Sequence, residues 1–562
     1  MTNNATDAPW LALFDDDLPQ EIDYEHSSAL EMFLASVKLA PEAPLVRYFD
    51  VTLTVSDIDR MSDALAVGLI DKGVQPGGRV AVYLQNVPQY LIAMLGIWKA
   101  GGIMVSINPM YRHREVINII DDSGASAIIC LESLYQDVVA EVRKERPIDV
   151  VVCTSELDFV QSPESFEVLK DSSRRSFADV EDFLDLIHEY RGQTPDPVTL
   201  TLNDVAFLTY TSGTTGPAKG AMNTHGNVVF TAQAYRDWIK LGRDDVILGI
   251  APLFHITGLI GHMALAILGP MPLVLAYRFD ANSVLEMIER WNATFTIGAI
   301  TAFTALMNAS EADRWDTSSM KKVYTGGQPV PAATVESFEK KFGLYIRQAY
   351  GLTETTSPTH FVPLGRRSPV DSTSGCLAVG VPIFNTGAQV IDDEGKVLGA
   401  GEVGEIVVSG PQVVPGYWQN PEETANAFRD GWFHTGDVGL MDGDGWFYVV
   451  DRKKDQINAS GYKVWPREVE DALYEHPAVR EVAVIGVPDQ YRGETVKAFV
   501  SFRPGQSATV EELKAHSRER LAAYKVPREI EFIEELPKTA SGKILRRELR
   551  QASTTSSQGG AA

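Results

Sequence analysis

The sequence predicts an α/β protein: a large N-terminal unit of several α/β layers built on parallel sheets, followed by a small α+β unit. Three observations lead there. The chain has 562 residues, too many for one domain of ordinary size. Short apolar runs alternate with helical patterns through roughly the first four hundred residues, the order expected of strands joined by crossover helices. After Asp451 a polar, charged run interrupts this pattern, and a shorter set of helix and strand signals follows.

The elements can be justified in chain order. RVAVYL, Arg79 to Leu84, is a buried strand; Val87 to Gly101 is a helix; IMVSINP, Ile103 to Pro109, is the next strand. ASAIIC, ending at Cys130, and DVVVCT, ending at Thr154, repeat the strand signal. The turn-rich segment RGQTPDPVTLTLNDVAF, from Arg191, is a surface connection into another strand. The run from Val246 to Tyr277 carries no charged residue and is long enough to raise the question of a membrane span. Pro252, Pro270 and Pro272, with two histidines, divide it into a buried strand, a loop at His255 and a core helix near Ile260 to Leu268. Beyond Asp451, VWPREVEDALYEH reads as a helix, and Arg480 to Asp489 and Glu494 to Phe502 read as strands. Thr509 and Glu512 form a capping box for a helix reaching about Ala523. The boundary between the two units falls at Arg452 to Lys454, and the last residues, STTSSQGGAA, form a flexible tail.

Composition narrows the function classes. A formal net charge of −25 argues against a general nucleic-acid or anionic-membrane binder. The three cysteines, Cys130, Cys153 and Cys376, form no C-x-x-C pair, so neither a disulfide framework nor a zinc site is expected. Free thiols fit a reducing cytoplasm. The acidic start, MTNNATDAPWLALFDDDLP, lacks the basic region of a signal peptide. The oligomeric state stays open, a homodimer included.

One stretch carries chemistry on its own. LTYTSGTTGPAKGAM, Leu208 to Met222, is dense in Thr, Ser and Gly and carries Lys219. Small residues let backbone N–H groups approach an anion, and hydroxyls and a lysine add donors and charge. It is not the P-loop of nucleoside triphosphatases: Ala218 precedes the lysine and Gly220 follows it, where glycine and a Mg²⁺-binding hydroxyl are required. A looser Gly/Thr loop is as often a plain flexible turn.

TYTSGTTGPAKG resembles the phosphate-binding signature of the adenylate-forming superfamily: acyl-CoA synthetases, adenylation domains of peptide synthetases and beetle luciferases. Other blocks follow in the family's order. They are Tyr350-Gly351-Leu352-Thr353-Glu354, then GEVGEIVVSGPQVVPGYW from Gly401, then Trp432-Phe433-His434-Thr435-Gly436-Asp437. Asp451-Arg452 and Pro537-Lys538-Thr539-Ala540-Ser541-Gly542-Lys543 complete the series. Any one aspartate or lysine among them is most simply a solvated surface charge, whereas six blocks in order are consistent at every level.

The resemblance implies roles. Thr211, Ser212, Gly213, Thr214, Thr215, Gly216 and Lys219 hold the phosphates of ATP. Gly327, Gln328, Tyr350 and Gly351 line the adenine site, and Asp437 and Arg452 reach the ribose. Thr353 faces the α-phosphate, Glu354 binds Mg²⁺, His255 lies beside the acyl carboxylate and Lys543 is catalytic. Lys454 is the pivot about which a mobile C-terminal unit turns, and Ser460 and Gly461 line the tunnel for coenzyme A. The implied division is an AMP- and acyl-binding unit over 1–451, a hinge over 452–454, a mobile unit over 455–550 and a disordered tail over 551–562. The implied reaction joins a small-molecule carboxylic acid to coenzyme A by way of an acyl-adenylate, with ATP and Mg²⁺.

The segment FHITG, Phe254 to Gly258, has no acid nearby to pair with a substrate amine, which disfavours an amino acid. GAITAFTAL, Gly298 to Leu306, is small and apolar and suits a hydrocarbon or aryl tail. INASGYKVWPREVE is most similar to bacterial fatty-acyl-CoA synthetases, so a medium- or long-chain fatty acid is expected. An aryl acid of the coumarate or benzoate type is the alternative; Gln328, where the family more commonly has alanine, places a polar amide beside the expected adenine and acyl sites and weighs against a simple unbranched chain. A carrier protein in place of coenzyme A and a luciferase-like oxidation are further readings. A non-catalytic nucleotide-binding scaffold is disfavoured, because the charged residues that only chemistry needs, Glu354 and Lys543, are present.

Overall fold

The computed structural model describes residues 8–211, 218–328, 330–372, 375–452, 455–459, 462–489, 493–539 and 543–558. Among them the chain forms four sheets. Arg79–Tyr83, Ile103–Ser106, Ala127–Leu131 and Val150–Thr154 are almost wholly buried, as strands covered on both faces must be. They belong to a seven-stranded sheet, parallel except where Gly220–Thr224 returns antiparallel to Val205–Tyr210. A nine-stranded sheet has a parallel centre running from Pro44–Tyr48 through Leu273–Leu275, Ile247–Leu248, Phe295–Gly298 and Lys322–Thr325 to Ile346–Leu352, with antiparallel strands at both edges. One large apolar core joins the two sheets and contains the buried Trp98 and Trp238. A third, antiparallel sheet holds Gly404–Ser409, Trp432–Met441 and Phe447–Arg452.

The uncharged run behaves as its prolines dictate. Ile247–Leu248 and Leu273–Leu275 are buried strands, and the helical segment Ile256–Leu268 between them is core. No helix among the described residues is long and apolar enough to cross a membrane.

The C-terminal unit has its own core, in which Val469 and Leu473 of the helix Pro466–Tyr474 pack on Val482, Val484, Val496 and Val500. Its long strands, Val479–Asp489 and Gly493–Phe502, are antiparallel. The capping box of Thr509 and Glu512 is present, but the helix stops at Arg518, short of Ala523. There Ser517 bonds its hydroxyl back to the Leu513 carbonyl, and Pro527 disfavours further helix just ahead of it. The tail differs from expectation too. The last helix runs from Arg546 to Gln558, so the first part of the segment expected to be unstructured continues an anchored helix. Leu549 is buried, and the Ser553 hydroxyl bonds its carbonyl.

Three fully buried histidines lie in this scaffold. Burial pushes the pKa values of His225 and His262 down to about 4 and that of His360 down to about 3. His262 accepts the Ala251 N–H on Nε2 and lies 3.0 Å from the Gly261 carbonyl through Nδ1, a neutral ring's arrangement. The unfolded chain therefore takes up these protons first. Folding stability is expected to be intact above pH ~6.5 and lost as pH falls towards 4, by up to about 1.4 kcal/mol per pH unit per histidine. Urea unfolding at several pH values checks this, and His225→Phe is expected to flatten the slope by about one proton.

Candidate active site

Parallel strands bring the candidate segments to one edge. Gly298 pairs with Thr325, and Thr325 with Gln348, so GAITAFTAL, Gly326–Gln328 and Tyr350–Glu354 all follow the same ends of neighbouring strands. His255 follows Ile247–Leu248 from the same sheet. The seven-stranded sheet offers the loop between Val205–Tyr210 and Gly220–Thr224, closed by the Thr211 N–H donating to the Lys219 carbonyl at 3.0 Å. Asn86 ties the two sheets together: its amide donates to the carbonyls of Gly249 and Ala251, and its Oδ1 accepts from the Leu253 N–H at 2.9 Å. This sets the approach to His255. Gly258 completes the turn, because a Cβ there would lie 2.2 Å from the Pro252 carbonyl oxygen.

At one end of the site, the Tyr350 hydroxyl donates to Asp437 Oδ2 at 2.8 Å. Asp437 is buried and sits directly opposite Arg452 in the pairing of Trp432–Met441 with Phe447–Arg452. The Tyr350 ring rests against His360, 5.5 Å between centroids. Gly351 is required here: a Cβ would lie 1.9 Å from the Ser357 carbonyl oxygen.

At the other end, the Tyr417 hydroxyl donates to Glu354 Oε1 at 2.8 Å. Burial, with the Glu354 charge beside it, raises the Tyr417 pKa far above its usual value, so the phenol stays a donor. The Lys219 ammonium lies 5.1 Å from the centre of the same ring and pairs with Glu423. Backbone bonds from Met222 to Gly416 and from Trp418 to Gly220 hold Tyr417 beside the lysine. The Asn223 amide donates to the Thr353 carbonyl and to Thr356 Oγ1, fixing the turn Thr353–Thr355. Thr356 and Ser357 follow with φ of 50° and 90°, conformations uncommon for residues with side chains. Such strain is held by its surroundings and clusters at working sites.

Lys543 comes from the C-terminal unit. Its loop is closed by the Thr539 N–H donating to the Lys543 carbonyl at 2.7 Å and by the Lys543 N–H donating to Thr539 Oγ1 at 3.0 Å. His255 is half-buried, with Nδ1 accepting the Thr257 N–H. Burial, and secondly the charge of Lys543, lowers its pKa to about 4, so the ring is neutral at pH 7. The charge of the lysine thus reaches the histidine, although 288 positions separate them in the chain.

Structure thus brings together Thr353, Glu354, Lys219, Tyr350, Gly351, Asp437, His255 and Lys543, with Gly327 and Gln328 at the same sheet edge. Ser212, Gly213, Thr214, Thr215 and Gly216, with Lys454, expected as the hinge, and Ser460 and Gly461, expected to line the tunnel, lie outside the described residues. Of Arg452 only the backbone register is described. Sequence reasoning passed over Tyr417 and Glu423. A signal for Glu423 was present: Asn420-Pro421-Glu422-Glu423 is a helix start, and Asn420 Oδ1 accepts the Glu423 N–H, placing that carboxylate in the first turn. Nothing local marks Tyr417 as the partner of Glu354.

Comparison with known proteins agrees with this arrangement. The profile described as AMP-binding enzyme matches residues 33–418, and that of the AMP-binding enzyme C-terminal domain matches 468–543. A long-chain-fatty-acid–CoA ligase of Bacillus subtilis (strain 168) is 39% identical over 560 residues, 97% of this chain and 98% of the relative. A feruloyl-CoA synthase of an Amycolatopsis species is 38% identical over 518 residues, 92% and 96% of the two chains. The crystal structure of an anthranilate CoA ligase in complex with anthranoyl-AMP superposes with a TM-score of 0.86 at 27% identity, covering 96% of this chain and 99% of that one.

The close approach at Gly351 is directly testable. Gly351→Ala is expected to cost about 1–3 kcal/mol of folding stability, because two backbone segments must separate. Denaturant unfolding measures it, and an unchanged midpoint would mean that the turn after Glu354 yields freely.

Proposed function

The chain belongs to the AMP-binding enzymes, and from that premise we propose that it is an ATP-dependent acyl-CoA synthetase acting on a fatty acid. The carboxylate of the acid attacks the α-phosphate of ATP, pyrophosphate leaves, and an acyl-adenylate forms. The thiol of coenzyme A then attacks the acyl carbonyl and AMP leaves. The observation that carries the reading is the pair of tethered carboxylates at one sheet edge, Asp437 held by Tyr350 and Glu354 held by Tyr417, with Lys219 over the Tyr417 ring.

The charges account for the division of labour. Two anions must meet in the first step, so the site has to supply positive charge and fixed donors where charge builds up. Lys543 supplies it at the reacting carboxylate and α-phosphate, and Lys219 at the departing pyrophosphate, exchanging Glu423 for phosphate oxygen. His255, neutral at pH 7, lies beside the acyl carboxylate without repelling or neutralising it. Tyr350 and Asp437 hold adenine and ribose. Glu354 fits Mg²⁺: it is a single hard oxygen ligand aimed by Tyr417, and Mg²⁺ at nucleotide sites takes one or two carboxylates and completes its shell with phosphate and water. When bound, the ion neutralises phosphate charge. Among the described residues no group of three or more His, Cys, Asp or Glu could form an all-protein cage for a metal.

The second step needs the approach that Lys543 occupies in the first. The unit over 455–550 therefore turns about the hinge at 452–454, withdrawing Lys543 and bringing Ser460 and Gly461 to the site. The fatty-acid preference is supported by the similarity to long-chain-fatty-acid–CoA ligases and by the apolar Ile300, Phe303 and Leu306 of the acyl segment. An aryl acid is the second reading, favoured by the feruloyl-CoA synthase of nearly equal identity. A cytoplasmic setting goes with either, and three buried free cysteines fit it.

Acid-dependent pyrophosphate exchange with a panel of fatty and aryl acids, followed by thioester formation with coenzyme A, tests the function. An exchange that ignores added acid would overturn it. Lys543→Ala is expected to cut acyl-adenylate formation by about 10²–10³ and to spare thioester formation from supplied acyl-adenylate. Lys454→Pro is expected to do the reverse, because proline fixes φ at the pivot. Asp437→Ala is expected to raise the KM for ATP with acyl preference unchanged; a shift in acid selectivity at constant KM would refute its nucleotide role.

A further inference from the structure

Beside the hinge lies a cluster of charges that the reaction does not use. Asp451, the last acidic residue before the hinge, is 3% exposed. Its Oδ2 accepts the backbone N–H of Arg467 at 3.1 Å, and its Oδ1 lies 3.3 Å from Arg546 Nη1. Both arginines belong to the C-terminal unit, in the helices Pro466–Tyr474 and Arg546–Gln558. Arg546 is also bidentate to Glu470, 2.7 Å to each oxygen, within that unit.

Arg467 does something different. Its side chain is only 5% exposed. Nε donates to Asp471 at 2.7 Å, one turn along the same helix, while Nη2 donates to the Val330 carbonyl at 2.8 Å. Val330 lies in the N-terminal unit, two residues beyond Gln328 and the strand end that carries Gly326–Gln328. One guanidinium thus spans the two units. Asp471 travels with Arg467 as its neutralising partner, so turning the unit leaves that guanidinium paired. What turning must break is the bond to Val330, together with the contacts to Asp451.

We infer that Arg467 is a positioning residue for the adenylation step, its guanidinium holding the C-terminal unit, through the Val330 carbonyl, in the orientation that carries Lys543 towards the N-terminal unit. Arg546 reinforces it, standing three residues after Lys543 and facing the same Asp451 carboxylate. Bonds made in one orientation and absent from the other shift the balance between them by their own differential free energy. The inference rests on the two-orientation reading above.

The test measures both half-reactions in wild type, Arg467→Met and Arg467→Lys, using fatty acid and ATP for the first and synthetic acyl-adenylate with coenzyme A for the second. Arg467→Met is expected to lower the rate of the first about 10- to 100-fold, with KM for ATP within about twofold, and to leave the second unchanged or faster. Arg467→Lys is expected to recover part of the loss, since an ammonium reaches one acceptor but lacks the fork. An equal fall in both half-reactions, or no fall in the first, overturns the inference. Arg467→Lys gives the same split on a smaller scale should the methionine variant fail to fold. Failure of the wild type to run the first half-reaction would instead refute the proposed function, so the two are told apart.

Discussion

Everything at the candidate site depends on the parallel direction of the strands. In a parallel sheet each strand ends at the same edge, so loops far apart in sequence must meet there. Loops from two such sheets converge here, and Asn86 fixes their relation by bonding three backbone groups of the segment before His255. The antiparallel third sheet then adds Asp437 from the side, against the Tyr350 hydroxyl. A loop moved to the other edge would keep its sequence and lose its chemistry.

The second constraint is charge. The molecule carries a formal −25, yet its proposed substrates, ATP and a carboxylate, are anions. Acidic groups at the site are therefore occupied: Glu354 accepts from Tyr417, Asp437 from Tyr350, and Glu423 faces Lys219. These pairs hold each side chain in place at little desolvation cost, since each remains bonded. Lys543, the cation proposed for the first step, is carried on the C-terminal unit, which Arg467 and Arg546 bond to the Val330 carbonyl and to Asp451. Local charge placement, not net charge, sets what the site accepts.

The fold class and the central strands of the seven-stranded sheet were legible in the sequence, whereas of the nine-stranded sheet only a strand in the uncharged run was. Buried parallel strands announce themselves as unbroken apolar runs, as at Arg79–Tyr83 and Val150–Thr154, because neither face meets water. Glycine-rich turns and capping boxes are local too, and the box at Thr509 forms as read. Where local signals weaken, as at the end of the helix after Thr509 and in the Ser/Thr-rich tail, the reading missed by several residues, since one or two backbone bonds decide such ends.

What only the tertiary structure decided is partnership. The types and order of Tyr350, Glu354, Asp437 and Lys543 are properties of the chain. That Tyr417 bonds Glu354, that Asn223 secures the strained turn after it, and that Arg467 reaches a carbonyl 137 residues away are not. A hydrogen bond between distant residues leaves no periodicity and needs no special residue type, because any donor can meet any acceptor once the fold has brought them together. The sequence by itself determined which chemistry the chain can perform; the packing of distant segments against one another decided which side chains hold its carboxylates in place, because a hydrogen bond forms only where the fold brings donor to acceptor.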